Sequence, residues 1–386
     1  MHIESLSLQH FRNIHFARLS FSPSRHFLIG PNAQGKSNLL EAMGLMTALR
    51  SFRQQEACTW IEQGQTESRL IYHLYQESLG KCKLELILKN KTKQVFLNDT
   101  LCSKFSDFFG LFPTIVLSNQ DLYLLRGAPA VRRRFLDISL AAVDASYLKA
   151  LRSYHAALAE RNALLRSSKN PTALSAYEKI MAQAAPYLSL KRVEALAFLE
   201  KHMRVFYQRL SEKEGGHLRL WCKNSIKIEA PPLKKEFFQS RTDYFTILSQ
   251  QALSMDADAW QRLWFTQRDR DGLLKSTQEG PHRDDFEVYL QGNLAKDYAS
   301  EGQQRSTVLA LKLAQGRFFE LESGVLPLVL IDDVLGELDP FRQECFWQAL
   351  GSSHQVIASG TISPPSQTLW TFSEVQQGTF TPYSPS

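Results

Sequence analysis

Residues 26–43 read HFLIGPNAQGKSNLLEAM. His26 to Ile29 is a short apolar run that reads as a strand, and Asn38 to Leu49 has the apolar spacing of a helix. Between them, Gly30-Pro31-Asn32-Ala33-Gln34-Gly35-Lys36-Ser37 fits the pattern G-x-x-x-x-G-K-[ST]. The order strand, glycine-rich loop, helix gives the pattern its meaning. Glycine lets the backbone curl so that N–H groups converge on phosphate oxygens, and the helix N-terminus adds a dipole that favours negative charge. Lys36 would reach the β- and γ-phosphates and Ser37 would ligate Mg²⁺. A nucleotide site for ATP and Mg²⁺ is therefore expected at Gly30 to Ser37 and Asn38.

Far along the chain, Pro327-Leu-Val-Leu-Ile-Asp332-Asp333 is an apolar strand ending in two carboxylates. Such a strand is expected beside the loop-bearing strand, with Asp332 supporting Mg²⁺ and Asp333 orienting or deprotonating water. The candidate catalytic residues are thus Lys36, Asp332 and Asp333, and the candidate metal ligands are Ser37 and Asp332. A further strand, Gln355 to Ala358, ends in Ser359-Gly360-Thr361. Ser359 or Thr361 can lie near a γ-phosphate there, or the segment can be an ordinary strand-ending turn. Shortly before the acidic strand, Tyr298 to Ala314 reads YASEGQQRSTVLALKLA. Ser300 suits a helix N-cap, yet Gly302 is a poor residue for a first helical turn, so a cap alone does not account for the stretch.

The 386 residues predict two or three domains or lobes, and 44% hydrophobic with 22% charged residues is ordinary for a folded globular protein. A net charge of +6 permits an anionic partner such as nucleic acid without demanding one. Five scattered cysteines with no CxxC suit neither a zinc site nor a disulfide framework, which points to a reducing, cytoplasmic setting. No apolar run approaches the roughly 20 residues that span a bilayer, and the first residues lack a secretory pattern, so no membrane partner is expected. Strand-like patterns occupy about the first 117 residues. Helical spacing follows over 131–166 and 172–212, broken at 167–171, with a turn at Glu214-Gly215-Gly216 and a strand or two from Leu218 to Ile228. Residues 240–267 read as helix. Strands return at Asp285–Leu290 and, after a Gly292-Asn293 turn, at Leu294–Tyr298. The tail beyond Ser363, rich in Ser, Pro and Thr, reads as partly disordered.

Phosphate loop, helical insertion, S-x-G-Q stretch, acidic strand and L-D-P loop, in that order, resemble the heads of ABC-type ATPases. Within these the chain is most similar to the RecF family, related to SMC and Rad50 heads. The motifs that carry the likeness are F-R-N at 11–13, the phosphate loop, G-A-P-A-V-R-R-R-F-L-D at 127–137, G-P-H-R-D-D-F at 280–286, S-E-G-Q-Q-R-S at 300–306 and L-I-D-D-V-L-G-E-L-D at 330–339. The implied fold is α/β: a P-loop ABC-type head with a mixed-sheet lobe I (1–125 and 270–386) and a mainly helical lobe II (126–269). The resemblance adds Arg12 and Asn13 to the ATP-binding set. It also implies that Ser300, Gly302 and Gln303 face an ATP held by another protomer, in an ATP-dependent homodimer.

The implied function is slow ATP hydrolysis that releases a clamp from duplex or gapped DNA, acting with RecO and RecR to load RecA in DNA repair. Departures from the family pattern are Gly336 for a serine, Asp333 where transporters carry Glu, no switch histidine, and S-N-Q-D-L at 118–122. The last leaves Gln120 as a third metal candidate. For DNA, Arg132, Arg133, Lys191 and Arg192 are candidates, with Lys201, Arg204, Arg209, Lys234 and Lys235 adding charge; solvated helix faces would look the same. Arg133 and Arg134 could instead pack inside the protein. A transporter-type ATPase subunit is the alternative, but it would place its signature nearer the phosphate loop and carry a switch His.

Overall fold

The computed structural model describes residues 1–22, 24–49, 57–89, 92–104, 107–167, 170–211, 217–223, 244–362, 364 and 370–383. Lys234, Lys235, the expected turn at 214–216 and the strand beyond Lys223 lie outside them. The chain divides into two compact units: Met1–Asp121, Arg209–Glu212 and Val308–Ser386 form the first, and Leu122–Gln208 with Lys213–Thr307 the second.

The first unit holds two six-stranded sheets. One is antiparallel, built from β1 (His2–Phe11), β2 (Ile14–Ser20), β4 (Glu67–Gln76), β5 (Gly80–Lys89), β6 (Lys93–Leu97) and β7 (Thr100–Leu101), in the order β2-β1-β4-β5-β6-β7. Its strands alternate: in β4, Leu70, Tyr72 and Leu74 are buried while Arg69 and His73 point out, the mark of a sheet with one covered face. The other sheet contains β3 (Arg25–Ile29), β8 (Thr114–Ser118), β12 (Leu328–Asp332), β13 (Val356–Gly360), β14 (Trp370–Gln376) and β15 (Thr379–Tyr383). Its order is β15-β14-β3-β13-β12-β8, with all but β15 parallel. β12 is buried from Leu328 through Ile331, as a strand covered on both faces requires.

Helix α1 (Lys36–Ala48) follows β3 directly and shares one apolar core with both sheets. Leu39, Leu40, Met43, Leu45 and Met46 are fully buried around its circumference, and the Tyr72 hydroxyl donates to the Ala42 carbonyl at 2.6 Å. Truncating one of these leucines to alanine would cost about 2–5 kcal/mol. The start of α1, where the phosphate loop sits, is thereby fixed from every side.

In the second unit, α2 (Tyr123–Arg126), α3 (Pro129–Val143), α4 (Ala145–Arg166) and the 40-residue α5 (Pro171–Leu210) accompany a small sheet of β9 (Leu218–Lys223), β10 (Asp285–Leu290) and β11 (Asn293–Leu294). The long helix Glu301–Ser323 begins in this unit and continues into the first.

Four expectations are corrected. The acidic strand β12 does not adjoin β3; β13 runs between them. The helical run 131–166 is two helices, because Asp144 leaves helical geometry and its carboxylate caps the Tyr147 N–H at 2.9 Å. Of the tail, residues 370–383 form the hairpin β14–β15, with β14 paired to β3 in parallel. The segment 270–307, expected with the first lobe, belongs to the second unit, since β10 pairs along its length with β9. Lesser differences are local: the turn before β11 is Gln291-Gly292, both at positive φ, and Ala295–Tyr298 is a helical turn.

Candidate functional site

The phosphate loop leaves β3 at Gly30, whose φ of 156° suits glycine and whose missing side chain leaves room for the Val375 carbonyl of β14. Pro31, Asn32 and Ala33 form its exposed crest, with Ala33 at φ 65°. Gly35 precedes α1 as its N-cap. Lys36 is 5% exposed, and its ammonium donates to the carbonyls of Gly30 at 2.6 Å and Pro31 at 2.8 Å, spanning the loop from inside. Burial pushes the Lys36 pKa down, against the opposing pull of Asp333 and Asp332.

Three oxygens from distant segments converge below the loop. The Ser37 hydroxyl donates to Asp332 Oδ1 at 2.7 Å, and the Ser359 hydroxyl lies 3.0 Å from the same oxygen. Strand register explains this: Asp332 is paired with Ser359 on β13 on one side and with Ser118 on β8 on the other. Hydroxyl and carboxylate oxygens in contact are the hard donors Mg²⁺ takes. Asp333 follows at φ 55°, a left-handed conformation costing an ordinary residue roughly 1–3 kcal/mol. Of the two switch candidates, Ser359 reaches Asp332, while Thr361 is exposed beyond the strand. Gln120 is exposed in the turn Asn119–Leu122 after β8; beside it, Asp121 accepts from the Ser118 N–H at 2.7 Å and pairs with Lys312 at 3.6 Å.

The loop is also held from outside. Arg12, at φ 54° in the β1–β2 turn, pairs in bidentate fashion with Glu41 of α1 at 2.6 and 2.7 Å. Asn38 donates to the Asn13 side chain at 2.7 Å. The tip of the β14–β15 hairpin reaches the loop: the Gly378 N–H donates to the Gln34 carbonyl and the Gln377 N–H to the Gln34 side chain, both at 2.8 Å. Gly378 has φ 78°, and a Cβ there would stand 2.5 Å from the Asn13 carbonyl oxygen. Glu41, Gln377 and Gly378 were not anticipated. A glutamate on the buried face of α1 was the available signal for the first; the hairpin residues carry none in their own sequence.

In the signature stretch, Ser300 and Gln303 form a reciprocal capping box: the Gln303 N–H donates to the Ser300 hydroxyl at 3.3 Å, and the Ser300 N–H to the Gln303 side chain at 2.8 Å. Gln304 is buried, receives a bond from Arg126 at 2.5 Å and donates to the Ala299 carbonyl at 2.9 Å. Arg305 pairs with Glu301 one turn back, at 2.9 Å. Gly302 lies in the first turn, where backbone N–H groups have no intrahelical acceptor.

The DNA candidates Arg132 and Arg192 are corrected: both are buried and committed to internal carboxylates. Arg132 makes a bidentate pair with Asp285 at 2.7 and 2.9 Å. Arg192 pairs with Asp137 at 2.8 Å and Asp284 at 2.9 Å and also donates to the Tyr147 hydroxyl and the Pro281 carbonyl. Arg133 is half-buried and donates to the Asp284 carbonyl. Lys191 remains on the surface of α5, paired with Glu194. The motifs at 127–137 and 280–286 thus meet as one ion-pair lock. His282 and Arg283 belong to it: both reach the Thr277 carbonyl, and His282 Nδ1 lies 2.8 Å from the Tyr154 hydroxyl.

Among the described residues, no helix is long and apolar enough to cross a membrane. A family model described as the RecF/RecN/SMC N terminal domain matches residues 2–368. The DNA replication and repair protein RecF of Ligilactobacillus salivarius is 32% identical over 351 residues, covering 89% of this chain and 86% of that one. RecF of Bacillus subtilis is 31% identical over 367 residues, covering 94% and 93%. Among solved structures, the recombination mediator protein RecF-ATP of the RecFOR pathway superposes with a TM-score of 0.86 at 25% identity, covering 99% of this chain and 97% of that one. The phosphate loop and the acidic strand share the parallel sheet of an ABC-type ATPase head of the SMC kind, and the chain belongs to the RecF family.

Proposed function

We propose that this chain is an ATP-binding, ATP-hydrolysing protein of DNA replication and repair, whose ATP-bound form closes as a homodimer on DNA. The observation that carries the reading is the convergence of Lys36, Ser37, Ser359 and Asp332 beneath a loop whose backbone is pinned at Gly30 and Gln34. ATP, when bound, supplies a γ-phosphoryl group that can pass to water, with ADP as the leaving group. Lys36 would exchange its two carbonyl partners for phosphate oxygens, Ser37 and Asp332 would hold Mg²⁺, and the Ser359 hydroxyl would stay within reach of both. Asp333, at a left-handed position just after the strand and acting on Lys36 electrostatically, would orient a water and accept its proton. Aspartate reaches less far than glutamate, which suits slow turnover.

Ser300, Gly302 and Gln303 would complete this site in a second protomer, their helix N-terminus facing the γ-phosphate. Only a triphosphate can make that contact, so ATP would favour the dimer and hydrolysis would release it. DNA would be held through its phosphates by exposed cations such as Lys201 and Arg204 on α5, with the half-buried Lys191 beside them. Association with RecO and RecR in loading RecA at single-strand gaps belongs to the same proposal. Sedimentation and DNA binding measured with ATP, with ADP and without nucleotide test it. A dimer and tighter DNA binding with ATP alone are expected; identical behaviour in all three conditions would overturn the clamp.

A further inference from the structure

A second constellation stands on the β1–β2 hairpin, built from residues that take no part in the phosphate loop. His10 and His15 are cross-strand neighbours, lying between the paired positions Gln9–Phe16 and Phe11–Ile14. Glu62 is brought to them by a short third segment whose backbone is stitched to β1: the Glu62 N–H donates to the His10 carbonyl and the Arg12 N–H to the Trp60 carbonyl, both at 2.9 Å. His10 has φ 53°, a left-handed kink that breaks the strand's alternation, so that Phe11 is buried in the core and His10 only in part. Both rings aim Nδ1 at one carboxylate oxygen, His10 at 2.7 Å and His15 at 3.1 Å from Glu62 Oε2. The ligand atoms all lie within 4.8 Å of one another.

We infer that His10, His15 and Glu62 form a binding site for a divalent transition metal of the Zn²⁺ class. Two imidazoles and a carboxylate are a ligand set this class favours. Tetrahedral ligands about 2.0–2.2 Å from zinc stand about 3.3 Å apart; the two histidine–Glu62 separations need open by a few tenths of an ångström to reach that spacing, and all three ligand atoms already lie within 4.8 Å of one another. The metal takes the place of the two Nδ1 hydrogens, and each neutral ring then carries its proton on Nε2. For His10 that nitrogen lies 3.3 Å from the Gln9 amide, whose oxygen can accept a hydrogen bond from the Nε2–H once the amide is turned. Water completes the coordination on the open side, where His15 is 74% exposed.

Titrating the metal-stripped full-length chain with Co²⁺ as probe, with Mg²⁺ in excess to hold the nucleotide site, tests the assignment. The visible absorption of tetrahedral Co²⁺ is expected, without a thiolate charge-transfer band, and Zn²⁺ should displace it. His15→Ala removes an exposed ligand without opening the core, and Glu62→Gln keeps the side chain's shape; each should weaken binding by at least about tenfold. No absorption, a thiolate band, or His15→Ala titrating like the parent protein would overturn the site.

Discussion

At the scale of single residues, Lys36 and Gly378 make different demands. The Lys36 ammonium fits between two carbonyls 2.6 and 2.8 Å away, a place for a compact point charge. Lys36→Arg keeps the charge but offers a planar fork, so single-turnover phosphate release should fall by about a hundredfold or more. Gly378 lies outside the loop, and Gly378→Ala would force a left-handed alanine against the Asn13 carbonyl. A loss of about 1–3 kcal/mol in denaturant-measured stability is expected, together with weaker nucleotide binding because Gln34 loses its hairpin partner. Retention of both properties would show that the hairpin tip does not support the loop. Lys36 was legible because its chemistry lies in eight contiguous residues. Gly378 was not, because its constraint comes from Asn13, at the other end of the chain. Arg132 and Arg192 misled for a related reason: a cluster of cations looks the same in sequence whether water or a buried carboxylate neutralises it.

At the scale of elements, the N-terminus of the helix Glu301–Ser323 carries two readings at once, a capping box and a phosphate contact in trans. A substitution can separate them. Aspartate is as good an N-cap as serine, so Ser300→Asp should leave the isolated protomer's stability within about 0.5 kcal/mol. Its carboxylate would nonetheless meet the γ-phosphate of the partner's ATP as a like charge. ATP-dependent dimerisation, followed by light scattering, should therefore be lost while nucleotide binding to the monomer persists. Dimerisation at the parent level would reduce Ser300 to a cap. The helix itself was legible from its apolar period. The capping role of Gln303 follows the S-x-x-Q spacing, but the family likeness drew attention to the ATP reading instead. The β14–β15 hairpin was hidden because Ser-, Pro- and Thr-rich flanks mask two short strands, and β14 gains its pairing only from β3.

At the scale of the whole molecule, the α/β class was readable from the alternation of patterns, whereas strand order was not: the insertion of β13 between β3 and β12 depends on crossovers no local pattern encodes. Each unit also holds a histidine kept neutral by its surroundings down to acid pH, which gives the molecule a common acid limit. His26 lies between the hydroxyls of Thr371 and Ser373 in the first unit, and His282 between the Tyr154 hydroxyl and the Thr277 carbonyl in the second. Burial, the largest cause in both cases, lowers each pKa to about 4. Above about pH 6.5 both folded and unfolded forms are neutral, and these residues add no pH dependence. Between about pH 6.5 and 4 the unfolded chain takes up protons that the folded one refuses, so stability falls as pH falls, by at most about 1.4 kcal/mol per pH unit for each histidine. Urea midpoints measured from about pH 7 to about pH 5 should therefore decline. Carboxylates titrate over part of the same range, so the decisive comparison is the slope in His26→Gln and His282→Gln, whatever their absolute stability. Each should flatten the profile by its own share, and slopes equal to the parent's would remove the buried histidines as the cause.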